Sequence, residues 1–125
     1  MQLNTTKENT LLIDGINKFN NKNYYDAHEI WEDLWRGYPL KDAIFIQGLI
    51  QLAVCFVHLQ NENINGARSL LKKSTKKLYS FPHNHRNVKL KELKHMMNEL
   101  NIELELINNT TEFNWKKCPK IFLHE

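Results

Sequence analysis

Residues 24–35 read YYDAHEIWEDLW and place one histidine and four carboxylates within twelve positions. On a helix turning about 100° per residue, His28 and Glu32 stand one turn apart on the same face. An imidazole and a carboxylate so placed can pair with each other, act on a common proton or hold a metal between them. A second polar set follows in a strongly apolar stretch, where Gln47, Gln51 and His58 fall within about 40° of one another on a helical wheel. Cys55 lies at the edge of that stripe. A buried amide left unpaired costs roughly 1–3 kcal/mol, so the stripe calls for polar partners, and His28 and Glu32 are the nearest in sequence. The expectation is a cluster of His28, Glu32, Gln47, Gln51 and His58.

Such a cluster supports two chemistries. It can be a polar network that ties helices together. Alternatively, His28, Glu32 and His58 can ligate Zn²⁺ or Fe²⁺ with positions left open for water, and Glu29 can then serve as the base in hydrolysis by metal-bound water. The cofactor expectation is therefore none, or one divalent metal. The motif HEIWE differs from the HExxH of zinc peptidases because its fifth position is Glu32, so a third ligand must come from another helix. Other chemistries are poorly served. Cys55 has His58 three residues on but does not stand at a helix start, which leaves thiolate activation unsupported. No glycine-rich phosphate loop occurs. The tripeptide HNH at 83–85 lacks the ββα context of a nuclease, and His83 and His85 read as extensions of a basic segment.

The elements that must position these residues are helical. Proline and glycine are sparse and no β-type alternation separates them, so the pattern predicts an all-α fold of about five helices. The first spans about 6–20, with Leu11, Leu12, Ile16 and Phe19 on one face. The second spans about 24–36, capped by Asn23 and closed by Gly37; its Ala27, Ile30, Trp31, Leu34 and Trp35 form the core side. Pro39 opens the third, which runs to about residue 60. The fourth covers about 66–79 after a turn capped by Asn63 or Asn65, and the fifth about 88–107 after a loop at 80–87. The tail is irregular, and Phe113, Trp115, Ile121 and Phe122 are expected to fold back onto the bundle, since exposing all four would leave a large apolar patch. Gly15–Ala27–Trp31–Pro39 and Gly48–Ala67–Leu71–Pro82 form a loose internal repeat of the tetratricopeptide type. The reading is two antiparallel helical hairpins, a C-terminal helix and the tail, in a single domain over 1–125.

Composition narrows the class further. The chain is 42% hydrophobic and 25% charged, ordinary for a soluble globular protein. The longest apolar run, AIFIQGLIQLAVCFVHL at 43–59, carries two glutamines and a histidine and suits a buried core helix better than a membrane span. Two cysteines, Cys55 and Cys118, make no disulfide framework and point to a reducing compartment. The net charge of +3 is unevenly spread: residues 66–95 hold nine lysines and arginines against the single acid Glu92. Lys72, Lys73, Lys76, Lys77 and Lys89 make this segment a candidate surface for an acidic protein or a polyanion.

The residues FNNKNYYDAHEIWEDLWRG, FIQGLIQLAVCFVHL and NGARSLLKKSTKKL together resemble a small helical family, the domain of unknown function numbered three hundred and nine. The matching motifs are Phe19–Asn20, Ala27–His28–Glu29 with Trp31–Glu32, Gln47–Gly48–Leu49–Ile50–Gln51 with His58, and Gly66–Ala67. They cover about residues 15–80. The resemblance implies an all-helical fold and carries the label of a predicted metal-dependent hydrolase, with no substrate attached. The chain departs from the family at 21–23, where small residues or glycine are usual. Family members occur in bacteria, archaea, cyanobacteria and plastids, so bacterial cytosol or plastid stroma is the expected location. Two functions stand: a non-enzymatic interaction module with a structural polar network, and a hydrolase built on His28, Glu32 and His58.

Overall fold

The computed structural model describes residues 2–125, with side chains from residue 7 onward. Five helices account for most of it: α1 (Gln2–Asn20), α2 (Tyr24–Gly37), α3 (Ala43–Gln60), α4 (Ile64–Leu78) and α5 (Leu90–Leu106). A two-residue antiparallel hairpin, β1 (Asn84–His85) with β2 (Val88–Lys89), lies between α4 and α5. Two short 3₁₀ turns, at Thr110–Glu112 and Trp115–Lys117, shape the tail. The expected fold class is borne out: helical hairpins, α1–α2 and α3–α4, pack together, and α5 follows.

The two hairpins turn in the same way. After α1, Lys22 takes a left-handed φ of 65°; its N–H donates to the Phe19 carbonyl, and that of Asn23 donates to the Lys18 carbonyl at 2.9 Å. After α3, Glu62 takes φ 59°, and Asn63 N–H donates to the His58 carbonyl at 2.8 Å. Both are helix ends closed by one left-handed residue, which satisfies carbonyls the helix leaves free. The repeat is therefore in register at Lys22 with Glu62, Asn23 with Asn63, Ala27 with Ala67 and Trp31 with Leu71. Gly48 is not the counterpart of Gly15, as the sequence spacing suggested; in this register Cys55 is. The departure from glycine at 21–23 leaves the turn geometry intact, with a lysine in the left-handed position.

Several boundaries differ from the sequence reading. Pro39 does not open α3, which begins at Ala43 after a turn. Asn23 flanks α2 without a side-chain cap, whereas Asn63 Oδ1 accepts the Gly66 N–H at 2.9 Å, as expected of a cap. Gly37 is the last residue of α2 and is not left-handed. The supposed loop at 80–87 holds the first strand and the turn of the hairpin, Arg86 and Asn87, both at positive φ, and the second strand takes Val88 and Lys89 from the expected start of the fifth helix.

One core joins all five helices and the tail. Trp31, Phe19, Tyr24, Phe45 and Phe56 are its largest buried side chains. The Trp31 indole N–H donates to the Leu12 carbonyl at 3.2 Å, so the ring is anchored where α1 and α2 approach. A side chain at Gly15 would meet that indole nitrogen at 2.1 Å, and only a glycine admits the contact. The α3–α4 approach uses Gly48, whose carbonyl accepts the buried Ser74 hydroxyl at 2.7 Å. By length and composition α3 could cross a membrane, but here it is packed between neighbours, with Leu49, Leu52, Ala53 and Phe56 fully covered. Trp35 is 40% exposed rather than buried, as large rings often are. In the tail, Phe113 and Ile121 are buried as expected and Trp115 is half-buried, while Phe122 faces solvent.

Candidate functional site

The middle of α2 brings His28 and Glu32 together as the spacing requires. His28 Nε2 lies 3.2 Å from Glu32 Oε1, and Arg36 approaches the other carboxylate oxygen at 3.5 Å. The second imidazole nitrogen, Nδ1, is 2.9 Å from the Tyr25 carbonyl, and the Tyr25 ring lies beside the imidazole. All of this is local to one helix. Glu29, next to His28, is exposed.

Among the described residues, no hydrogen bond joins His28 or Glu32 to Gln47, Gln51 or His58. His58 lies in the last turn of α3, where the Asn63 amide donates to its Nδ1 at 3.3 Å. Gln47 and Gln51 are half-buried rather than buried. The physical reason is that the stripe on α3 stays partly open to solvent, so its amides do not need α2 to supply partners. One atom keeps the cost foreseen from sequence: Gln51 Oε1 is buried and accepts no hydrogen bond.

Residues 12–70 carry both the α2 pair and the α3 stripe, and they match the family model described as a domain of unknown function, DUF309. Over that stretch the chain is similar to the DUF309 family. The match is somewhat shorter than the 15–80 read from the motifs, because it stops within α4. Comparison with curated proteins gives no match.

The metal expectation attached to the family can be tested on the donors of this chain. A catalytic zinc takes three protein ligands. His28 and Glu32 offer two, but among the described residues no group of three His, Cys, Asp or Glu side chains is placed to hold an ion. His58 is engaged by the turn that starts α4, and Glu32 is shared with Arg36. The set His28, Glu32 and His58 therefore does not fit a three-ligand centre in this arrangement, and no step is derived through one.

A second charged group was not foreseen as a unit. Asp42, just before α3, accepts from Arg86 through both oxygens, with Nε at 2.6 Å and Nη2 at 2.8 Å. His85 Nε2 meets the same carboxylate at 2.7 Å, and Arg86 Nη2 also reaches Glu8 Oε1 at 3.2 Å. The His85 ring is held between Phe45 and Phe81. Burial alone would push the Asp42 carboxyl up. The hydrogen bonds from Arg86 and His85, with the charge of Arg86, outweigh burial and hold it down at about 2. The polar atoms of this group are turned on one another, so it works as a clamp between α1, the start of α3 and the hairpin. His85 is thus withdrawn from the basic surface to which sequence assigned it.

That surface persists on α4. Lys72, Lys73 and Lys76 are exposed, and Lys77 and Lys89 are half-buried. Lys72 pairs with Glu105 of α5 at 3.4 Å. Arg68, on the same helix, points elsewhere: it donates to the Leu104 and Ile107 carbonyls at 2.8 and 2.7 Å. A cation there neutralises the negative end of α5.

Proposed function

We propose that this chain is a non-enzymatic interaction module whose α4 surface takes an acidic partner. The observation that supports it most is the stripe of Lys72, Lys73 and Lys76, exposed along one side of α4 with Glu105 as its paired carboxylate. These positions stand at i, i+1 and i+4, so the ammonium groups line one side of a helix fixed by the α3–α4 hairpin. Flexible, strongly hydrated lysines suit a partner read by its charge density rather than by a fixed fork of hydrogen bonds. In this reading the pair on α2 is structural: His28 and Glu32 fasten successive turns of the helix. A reducing compartment is the proposed setting, in which Cys55 and Cys118 remain thiols.

A salt titration with a polyanion tests this reading. Fluorescence anisotropy of a labelled heparin fragment should report binding at 50 mM salt that falls steeply by 200 mM, because each phosphate- or sulfate-neutralising lysine adds to the slope. The double variant Lys73→Glu/Lys76→Glu should weaken binding by at least about tenfold and flatten the slope by about two. Equal binding by the native protein and this variant would overturn the assignment of the surface.

A further inference from the structure

Helix α5 turns Leu90, Leu93, Met97, Leu100 and Leu104 into the core. The opposite side of such a helix is ordinarily polar, and here it is not. Ile102 is exposed, and Leu106 is 76% exposed. Phe122, from the tail, is exposed beside the start of the same helix. These are three of the eight large apolar side chains that stand exposed among the described residues, and they gather along one helix. A gathered patch marks a contact surface, whereas the same residues scattered singly would need no explanation.

The patch has two unlike halves. Toward the start of α5, a hollow of about 550 Å³ is lined by Met96 and Phe122, with Lys91, Glu92 and His95 around them. Toward the end, Ile102 and Leu106 stand beside a second hollow of about 480 Å³, which Glu103, Lys116 and Lys117 also line. One half thus offers an apolar hollow, and the other offers two exposed apolar side chains. Leu106 lies about 21 Å along the helix axis from Glu92, at 1.5 Å per residue.

A second copy of the chain, with its α5 running antiparallel, supplies what each half lacks. Turned about a two-fold axis near Glu99, the helix sets Ile102 against Met96 of the copy and Leu106 against the turn that carries Glu92. The charges agree with this register. Glu103 comes to Lys91 and His95 of the copy, and Glu92 comes to its Lys116 and Lys117. Among the described residues, Lys91, Glu92, Lys116 and Lys117 make no ion pair within the chain, so all four are available to one between chains. A parallel pairing would instead set each acid against itself. In the antiparallel one Glu99 alone meets its own copy, at the axis.

We infer that α5 pairs antiparallel with α5 of a second copy, Ile102 and Leu106 of each entering the hollow beside Met96 and Phe122 of the other. Each patch is used twice, so the contact closes on a dimer. One helix pair covers less than the roughly 1,600 Å² of a standard interface, and the dimer is accordingly a weak one that forms at micromolar concentration. It leaves the lysines of α4 uncovered, and it does not depend on the reading proposed for them.

Sedimentation equilibrium of the full chain, from about 5 to about 500 µM, tests the pairing. The mass should rise with concentration from one chain toward two. Ile102→Ser/Leu106→Ser, at exposed positions that leave the core untouched, should weaken association by at least about tenfold. Glu92→Lys should weaken it by setting like charges together, and Glu92→Lys/Lys116→Glu/Lys117→Glu should restore it. Glu99→Gln should tighten it, because the repulsion at the axis is removed. A single-chain mass throughout would overturn the pairing and give the face to a different polypeptide. Association unchanged in Ile102→Ser/Leu106→Ser, or not restored by the exchange of charges, would overturn it as well.

Discussion

A carboxylate that accepts from Arg86 through both oxygens and from His85 through one cannot take up a proton without weakening those bonds. Asp42 is held down at about 2, against an ordinary value of 3.8. The folded value lies below the unfolded one, so the stability this group contributes is present in full above about pH 4 and is lost as pH falls toward 2. Each unit is about 1.4 kcal/mol, which makes the contribution on the order of 2 kcal/mol. Asp42→Asn should therefore lower the unfolding free energy at pH 7 by about 2 kcal/mol, as urea denaturation would read it. The gap between the variant and the native protein should close as the pH is stepped from 4 to 2. A gap constant over that range would mean that the carboxylate charge is not its source. None of this group was legible beforehand. His28 and Glu32 could be paired from spacing alone because one helix holds both, whereas Asp42 and Arg86 are 44 residues apart. They meet only because the chain reverses at Arg86–Asn87, where both residues adopt positive φ. Tight hairpins are usually signalled by Asn-Gly or Asp-Gly, and Arg-Asn carries no such signal.

At the scale of the element, α1 and α2 approach closely at Gly15. A methyl group there would sit 2.1 Å from the indole nitrogen of Trp31, a side chain with no exposed surface. Alanine gains about 1 kcal/mol over glycine in a helix interior. Displacing a locked, hydrogen-bonded indole costs more, since overpacking a filled core typically loses 1–3 kcal/mol and the bond to the Leu12 carbonyl about 1 kcal/mol further. Gly15→Ala should therefore be destabilising by roughly 1–3 kcal/mol, with a red shift in the tryptophan emission as the Trp31 indole leaves its site. A stabilised variant would show that α1 and α2 can part at no cost. The helices themselves were readable because apolar periodicity is a local property. The pairing of Gly and Ala at crossing points pointed rightly to Gly15. The start of α3 was misplaced because Pro39 is as compatible with an extended turn as with a first helical residue.

For the whole molecule, the last eighteen residues belong to the core although they contain no helix longer than one turn. Phe113 lies against Phe56 and edge-on to Trp115, Ile121 is 1% exposed, and Leu123 bridges to Val88. The Lys89 N–H donates to the Phe122 carbonyl at 2.8 Å, and the His124 N–H to the Asn87 carbonyl at 2.9 Å, so the tail also closes over the hairpin that carries Arg86. Burial of one large apolar side chain contributes about 1.5–3 kcal/mol. Phe113 and Ile121 alone then amount to about 3–6 kcal/mol, a large share of the 5–15 kcal/mol that usually holds a domain together. Apolar composition was enough to foresee that the tail folds back, but its contacts reach across most of the chain and no local rule places them. A chain ending at Asn108 should lose most of its stability. In urea it should unfold with a midpoint far below that of the full chain, and bind a hydrophobic dye through the uncovered faces of Tyr24 and Phe56. Retention of the full-length midpoint would mean that the five helices are stable without the tail. Coincident transitions from tryptophan fluorescence, which includes Trp115 of the tail, and far-ultraviolet circular dichroism in the full chain would show that helices and tail unfold as one cooperative unit.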